Sequence, residues 1–269
     1  MGGCSRNPAV ADRGTGCPMA DPAMRQAVSY AIDKNEINTK LLGGQAAVAN
    51  TNIAPQAWYF ADEPPATFDP TKANSILDAA GWTKGADGIR SKNGLRAKIE
   101  LCTTTRQVRL DTLALISNWL KDVGIESVVN GVDPSNIFAA FNDGTKDTPC
   151  ALSHSNFDLA EHAFSSSLDP IGNYTSYDSK LVEPNGANDA SVNDPDLDKA
   201  LLDVKGSVDF NVIKSAMGTF QDVYVNKTVE IPLYYRKNVD LVSSKLGNYF
   251  QNPTSAGPTW NIVDWYVKG

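Results

Sequence analysis

The chain has 269 residues, of which 42% are hydrophobic and 20% are charged, and its formal net charge is −7. This composition is typical of a globular protein with a substantial core, and the acidic balance disfavours nucleic acid as a partner, because a nucleic-acid binder needs a basic surface. No apolar run reaches the roughly 18 residues of a membrane-spanning helix, and the N-terminus lacks the apolar core of a signal peptide, so we expect any targeting segment to be missing from this sequence.

Asp-Pro pairs mark the predicted starts of helices along the chain. Asp is a favoured N-cap, and Pro suits the first helical position. The pairs stand at 21–22, 69–70, 133–134, 169–170 and 194–195. After Asp21, apolar residues recur at helical spacing as far as Gly43 and Gly44, which predicts one helix over this run. Further helices are predicted in the stretches that begin at 70, 109, 134, 195 and 212.

Strands are predicted between these helices. The candidates are "LRAKIELCT" (95–103), "IESVVNG" (125–131), "CALSHSNF" (150–157) and "EIPLYYRKNVDLVSS" (230–244). Strands that alternate with helices predict an α/β fold, with helices packed on a mixed β-sheet. The stretch 180–196 is rich in Asn, Asp and Gly, and is predicted to be a polar surface loop.

The four cysteines show no C-x-x-C spacing of a zinc or redox site. Cys102 and Cys150 lie in predicted strands that would be able to sit side by side in a sheet, which allows a disulfide between them. A second disulfide between Cys4 and Cys17 is equally open. The alternative is that these cysteines are free or buried thiols.

Four segments together resemble a known family. "MRQAVSYAIDKNEI" (24–37) is similar to a signature of the family 5 extracellular solute-binding proteins, the dipeptide- and oligopeptide-binding components of ABC importers. "FDPTKANSILDAAGW" (68–82), "GIRSKNGLRAKIEL" (88–101) and "IPLYYRKNVDLVSSKLGNY" (231–249) resemble later segments of that family in the same order. The resemblance covers about residues 21 to 266.

The resemblance implies a fold and a domain organisation. Members of the family have two hinged lobes with the ligand between them, and the signature helix opens the second lobe. The chain is therefore expected to be a periplasmic-binding-protein-like second lobe only. Residues 1–20 are expected to form a flexible lead-in tail, residues 21–245 a single α/β lobe, and residues 246–269 a segment that returns toward the missing first lobe.

The resemblance also implies a function and partners. The expected function is capture of a peptide-like or other small solute by lobe closure, without catalysis or a cofactor. The expected partners are the solute and, through the full-length protein, the ABC permease subunits, with the protein itself a monomer. The expected location is extracellular or periplasmic, with the full-length protein anchored to the membrane as a lipoprotein.

"SNFD" (155–158) resembles the Trp-x-x-Asp segment with which peptide-binding relatives grip the amino group of the ligand, and "LDP" (168–170) resembles the Asp-Pro that follows it. The predicted ligand-binding residues are Asp158, Asn156, Asp169, Tyr174 and Tyr177. The alternative for Asp158 is a carboxylate that caps the turn after the strand. Ser155 replaces the Trp, so a peptide, a sugar, a polyamine or another amine-bearing solute all remain candidate ligands.

Both histidines lie in "LSHSNFDLAEHAF" (152–164). His154 is predicted to be a packed strand residue, and Glu161 and His162 to lie on a solvated helix face. A metal site of His154, Asp158 and His162 requires a helix, which the predicted strand opposes, so no metal is expected.

Two other functions remain as alternatives. One is a hydrolase built on the side chains of His154, Asp158, Glu161 and His162, although no G-x-S-x-G or H-E-x-x-H motif is present. The other is a protein-interaction or receptor module with the same fold.

Overall fold

The computed structural model of the chain describes residues 16–64, 67–143, 148–163, 168–252, 254 and 256–269. Helices and strands alternate along the chain, as the sequence predicts for an α/β protein. The α-helices are α1 (Pro22–Ala31), α2 (Lys34–Leu41), α3 (Pro70–Ala79), α4 (Gln107–Asp122), α5 (Pro134–Ile137), α6 (Gly172–Tyr177), α7 (Pro195–Lys205) and α8 (Phe210–Asn226). The strands are β1 (Ala47–Val48), β2 (Thr83–Lys84), β3 (Arg90–Lys92), β4 (Leu95–Arg96), β5 (Lys98–Thr104), β6 (Glu126–Val132), β7 (Leu159–Ala160), β8 (Tyr234–Tyr235), β9 (Leu246–Gly247) and β10 (Tyr266–Val267).

Strands β5, β6 and β7 form a parallel sheet. β5 pairs with β6 on one side and with β7 on the other, and both pairs are parallel. The β5–β6 register runs from Lys98 opposite Glu126 to Thr104 opposite Val132, and α4 provides the crossover that parallel neighbours require. The antiparallel pairs lie in separate small sheets, which join β1 to β8, β9 to β10, and β2 to β3 and β4.

The buried apolar residues form two main clusters and a smaller one. The first packs α1, α3 and α4 against β5 and includes Met24, Leu77 and Leu101. The second joins α6, α7 and α8 around Phe220 and Tyr224. The smaller cluster surrounds the disulfide described below. Within the described ranges, none of the helices is both long enough and apolar enough to span a bilayer.

The predicted Asp caps are confirmed at four of the Asp-Pro pairs. The side chains of Asp21, Asp69, Asp133 and Asp194 each accept a hydrogen bond from a backbone N–H in the first turn of the helix that follows. The pair at Asp169 is different, because α6 begins only at Gly172 and Asp169 Oδ1 accepts from the N–H of Ile171 instead.

Three predicted elements are wrong in extent or type. The helix predicted from Asp21 to Gly43 is two helices, because the backbone is extended at Ile32 and the Asp33 side chain caps a new helix. The predicted strand 150–157 is a run of turns, with left-handed φ values of 60° at Cys150 and 50° at Ser155, and the strand of this region is β7. Within 230–244, only β8 is a strand.

The disulfide between Cys102 and Cys150 is confirmed, with a Cα–Cα distance of 5.6 Å. Cys102 lies in β5, and Cys150 lies in the run of turns before β7. Cys17 is also disulfide-bonded. Its predicted partner, Cys4, lies outside the described residues.

Two basic side chains are buried in the described structure. Lys34 is 5% exposed, its Nζ donates to the carbonyl of Ala49 at 3.1 Å, and burial lowers its pKa to about 8. Arg90 is 1% exposed, and its guanidinium donates to the carbonyl of Val123 and to Asn74 Oδ1 at 2.8 and 2.7 Å. It also donates to the carbonyl of Trp82, just after α3, so it ties α3 and the turn after it to the end of α4.

Candidate ligand-binding site

A cavity of about 1130 Å³ is bounded by residues that follow β5 and β7. In open α/β sheets, ligands bind outside the carboxyl ends of the strands, because the loops there are free to vary around a rigid edge. The walls come from the segments 47–59, 101–116, 157–163, 169–177, 187–190 and 224–239, with a few single residues from elsewhere. Distant parts of the sequence therefore meet around one space.

The lining is strongly charged and of mixed sign. The described lining residues with acidic side chains are Glu161, Asp169, Asp189 and Glu230, and those with basic side chains are Arg25, Arg106, Arg109, Arg236 and Lys237. His162 and several tyrosines complete the polar part of the wall. Such a lining suits a polar or charged small molecule, since convergent polar groups set orientation and specificity in a binding pocket.

Two carboxylates on one side of the cavity, Asp189 and Glu230, form what we call the carboxyl cluster. Glu230 Oε2 accepts hydrogen bonds from the hydroxyls of Tyr177 and Tyr224, at 3.0 and 2.7 Å. Burial raises the pKa of Asp189 to about 7, and the neighbouring charges of Glu183 and Glu230 add to the effect. The two tyrosines hold Glu230 in place, whereas Asp189 has acidic neighbours that disfavour its charged form.

Asn52 lies next to the carboxyl cluster and has a fixed orientation. Its Nδ2 donates to Asn173 Oδ1 at 3.1 Å and to the hydroxyl of Tyr177 at 3.2 Å. Asn173 Nδ2 donates to the carbonyl of Pro170, so Asn173 must present its oxygen to Asn52. The Oδ1 atom of Asn52 is then the free end of the amide, and it is buried without a hydrogen-bond partner among the described residues.

Three arginines of the cavity lining, Arg106, Arg109 and Arg236, form what we call the arginine cluster. All three act electrostatically on the hydroxyl of Tyr234, as does Glu161, although burial is the main reason that the pKa of Tyr234 is raised. Burial also raises the pKa of Glu161 to about 8, against the opposing charge of Arg109. The Oε2 atom of Glu161 is buried without a hydrogen-bond partner in the described structure. At neutral pH the protonated carboxyl of Glu161 is therefore the favoured form.

Two of the predicted ligand-binding residues, Asp169 and Tyr177, line the cavity. Tyr177 donates its hydroxyl to the carboxyl cluster. Tyr174, on the same helix, lies outside the lining, and the Nζ of Lys205 sits 4.2 Å from the centre of its ring. Helix α6 therefore presents one of its two predicted tyrosines to the cavity.

The other two predicted residues, Asp158 and Asn156, lie outside the lining and bind backbone groups. Asp158 is buried, and its Oδ2 accepts from the N–H of Glu100 at 2.7 Å, which fastens the chain before β7 to β5. Asn156 Nδ2 donates to the carbonyl of Thr148 at 2.8 Å. Because β7 starts only after Asp158, the strand ends at Ala160, so Glu161 rather than "SNFD" stands at its carboxyl end.

The predicted solvated helix face at Glu161 and His162 is wrong. Both residues follow a strand, both are partly buried, and both line the cavity. Burial lowers the pKa of His162, while the charge of Glu230 opposes the effect. His154 lies in the run of turns rather than in a strand, and its ring stacks on Phe141 with 4.6 Å between ring centres.

The loop 180–196 was predicted to be a surface loop, yet part of it is buried. Asn188 is 0% exposed, because its side chain donates to the carbonyls of Asp178 and Val192 and accepts from the N–H of Val192. This fold of the loop turns Asp189 toward the cavity. The sequence gives no signal for it, since the partners of Asn188 are backbone groups, and Asp189 is one of many acids in a polar stretch.

Comparison with known proteins gives the same picture of the fold. The family model "Bacterial extracellular solute-binding proteins, family 5 Middle" matches residues 9–203. The oligopeptide-binding protein AppA of Bacillus subtilis is 27% identical over 256 residues, which cover 92% of this chain and 44% of AppA. The nickel-binding periplasmic protein of Escherichia coli is 33% identical over 130 residues, which cover 47% of this chain and 25% of that protein.

A solved structure of Bacillus subtilis AppA in complex with a nonapeptide superposes with a TM-score of 0.81 at 24% identity, over 94% of this chain and 48% of that one. At this identity the likeness shows the fold. The chain spans less than half the length of these relatives. The family model covers well over half of the chain, and the chain belongs to the family 5 bacterial extracellular solute-binding proteins.

Proposed function

We propose that the chain is the solute-binding lobe of an ABC importer's binding protein and that it holds a peptide-like or other small solute in the cavity without chemical change. The observation that carries this proposal is the cavity itself, with convergent charged and tyrosine side chains at the carboxyl ends of parallel strands. Relatives named for oligopeptide and nickel binding support a transport role.

The mechanism in the full-length protein would be closure of two lobes around the solute. Solute contacts with both lobes favour the closed state over the open one, and only that difference in affinity drives closure. The permease subunits would then receive the closed form outside the cytoplasm. A single lobe supplies part of these contacts, so this chain alone should bind its solute weakly, with dissociation constants nearer millimolar than nanomolar.

Exposed apolar side chains support a second lobe packed against residues 246–269. Val263 is 90% exposed and Val267 is 79% exposed. Trp260 and Tyr266 in the same segment are also more than half exposed. A patch of this kind marks a surface that another part of a protein covers. We therefore keep the division into a lobe at 21–245 and a returning segment at 246–269.

Blocking the cavity tests the proposal. Solutes such as tripeptides, sugars and nickel–histidine would be titrated into the isotope-labelled chain and followed by amide NMR shifts. Ser176 lines the cavity on α6, and Ser75 lies exposed on α3; both hydroxyls donate to the carbonyl four residues earlier. Ser176→Trp should weaken binding of any solute found by more than about tenfold. Ser75→Trp, the matched control, should leave binding unchanged. Unaltered binding by Ser176→Trp would place the solute elsewhere and refute the proposal.

The hydrolase alternative receives no support from the geometry. Asp158 is held by the backbone of β5 and His154 by Phe141, whereas Glu161 and His162 face the cavity. The four side chains therefore do not form one catalytic group. Turnover of an ester, peptide or phosphate substrate that His162→Ala abolishes would revive that alternative.

A further inference from the structure

A carboxylate lies beside the disulfide between Cys102 and Cys150. One carboxylate oxygen of Glu100 and the two sulfur atoms are all within 4.8 Å of one another. Among the residues that the structure describes, this is the one group of three His, Cys, Asp or Glu side chains whose potential metal-ligand atoms come so close together. The disulfide occupies both sulfurs in the oxidised chain, so any metal binding by this group belongs to the reduced chain.

The geometry of β5 brings these groups together. Glu100 and Cys102 are two residues apart in this strand, so their side chains project from the same face of the sheet. The run of turns that contains Cys150 covers that face, and Cys102 packs with it in the smaller apolar cluster. Leu101 projects from the opposite face, into the cluster that α1 and α4 share. The two sulfurs and the carboxylate therefore meet between the sheet and the run of turns.

Two neighbours hold Glu100 in position. Asn130, opposite Cys102 in the β5–β6 register, donates from its Nδ2 to Glu100 Oε1 at 3.0 Å. The backbone N–H of Glu100 donates to Asp158 Oδ2 at 2.7 Å. Hydrogen bonds of this kind orient a metal ligand and strengthen metal binding. The carboxylate is therefore oriented before any metal ion arrives.

The dimensions suit an ion such as zinc. Zinc binds cysteine sulfur at about 2.3 Å, which places two sulfurs of a tetrahedral site about 3.8 Å apart. The Cα atoms of Cys102 and Cys150 are 5.6 Å apart, and rotation of the two side chains brings the freed sulfurs to that separation. Two thiolates and one carboxylate are ligands of the types that zinc accepts, with water in the fourth position. Both cysteines are buried and Glu100 is half-buried, so the ion approaches from the side of Glu100.

We propose that Cys102, Cys150 and Glu100 form a site for a thiophilic divalent cation such as zinc in the reduced chain, and that the cation replaces the disulfide as the link between β5 and the run of turns. A dithiol reductant supplies two electrons and two protons, is itself oxidised to a disulfide, and leaves two thiols in the chain. The cation then displaces both thiol protons to solvent as two metal–sulfur bonds form. Because this link closes the same loop as the disulfide, it restores part of the stability that reduction removes.

Cadmium binding to the reduced chain tests the proposal. The 269-residue chain would be reduced with a trialkylphosphine, which is oxidised to the phosphine oxide, and then separated from the phosphine under nitrogen. Cadmium would be titrated as a probe for zinc, with the thiolate-to-cadmium charge-transfer absorption as the readout. The reduced wild type should bind one equivalent more than the reduced double variant Cys102→Ala with Cys150→Ala. Cys17, which is also disulfide-bonded in the oxidised chain, is the same in both proteins, so its contribution cancels.

Glu100→Gln tests the role of the carboxylate. Gln keeps an oxygen that accepts from Asn130, but an amide oxygen is a poorer ligand than a carboxylate, so the affinity for cadmium should fall by about tenfold or more. Glu126→Gln is the matched control on the neighbouring strand, where the carboxylate binds Arg96 and Lys98, and it should leave the affinity unchanged. Equal affinities of Glu100→Gln and the wild type would overturn the proposal.

The stability of the reduced chain is a second readout. Zinc should raise the urea midpoint of the reduced wild type by more than that of the double Ala variant, and a chelator should reverse the rise. If reduction alone unfolds the wild type, zinc should restore its native circular dichroism. The proposal would be overturned if the reduced wild type bound no more cadmium than the double variant, or if zinc neither stabilised nor refolded it. None of the three residues lines the cavity, so the proposed function does not depend on the result.

Discussion

Replacing the buried Lys34 with Met should change how the stability of the chain depends on pH. Each pKa unit is worth about 1.4 kcal/mol, so lowering the pKa of Lys34 from 10.5 to about 8 makes its ammonium about 3 kcal/mol less favourable in the folded chain than in the unfolded one. Between pH 8 and 10.5 the unfolded chain binds more protons than the folded chain, so the stability of the wild-type chain should rise with pH across that window.

Lys34→Met removes the buried charge and keeps a side chain of similar length, but it leaves the carbonyl of Ala49 without its donor, at a cost of about 1 kcal/mol. The variant should therefore be more stable than the wild type by about 2 kcal/mol at pH 7, and this advantage should vanish near pH 10. Groups that both proteins share cancel in the difference.

Urea unfolding followed by circular dichroism at pH 7, 8, 9 and 10 measures the free energy of unfolding of both proteins. Lys40→Met is the matched control, because Lys40 lies on the same helix with its side chain 60% exposed, in an ion pair with Glu36. Its stability difference from the wild type should stay constant over this range. If the free energies of unfolding of the wild type and of Lys34→Met changed in parallel with pH, burial would not lower the pKa of Lys34, and the reasoning would be refuted.

Two further predictions concern the core. Arg90→Met should lower the free energy of unfolding by about 3 kcal/mol, because it leaves buried carbonyls without donors. Arg96→Met, the control at a half-exposed surface ion pair, should leave the urea midpoint unchanged. Equal losses of stability in the two variants would contradict the claim that the burial of Arg90 makes its hydrogen bonds important. Replacing both Cys102 and Cys150 with Ala should lower the free energy of unfolding by about 4 kcal/mol, since the disulfide closes a loop with a sequence separation of 48. A loss of less than about 1 kcal/mol in urea unfolding would contradict this loop-closure estimate.

The starts of the helices were predictable from the sequence because their causes are local. Asp21, Asp69, Asp133 and Asp194 each bind an N–H within three residues, so the sequence contains both partners of the cap. The break at Ile32 is not visible in the apolar spacing, which continues through it, although Asp33 is a residue type that caps helices. The strand predicted from Cys150 is wrong for a different reason. A short apolar run such as Cys150–Leu152 is also compatible with successive turns, and the backbone there is left-handed at Cys150 and Ser155.

Most of the residues that line the cavity could not be identified from the sequence. Asn52 contacts Tyr177 across a separation of 125 residues, and Tyr177 contacts Glu230 across 53, so no spacing rule connects them. Asp169 and Tyr177 were placed near the site by the family resemblance, whereas Asp189 and Glu230 were hidden among many acids. The same resemblance pointed to Asp158, whose carboxylate the structure places on the backbone of β5.

The disulfide between Cys102 and Cys150 also limits the effect of proteolytic cleavage between those two residues. A cut at one of the loops between those positions, for example at the exposed Asn142, would nick the backbone without releasing a fragment, because the two pieces stay covalently linked until a reductant is added. A nicked molecule would still migrate as one species on a non-reducing gel. A disulfide of this kind persists in oxidising surroundings and is reduced where thiols are kept reduced.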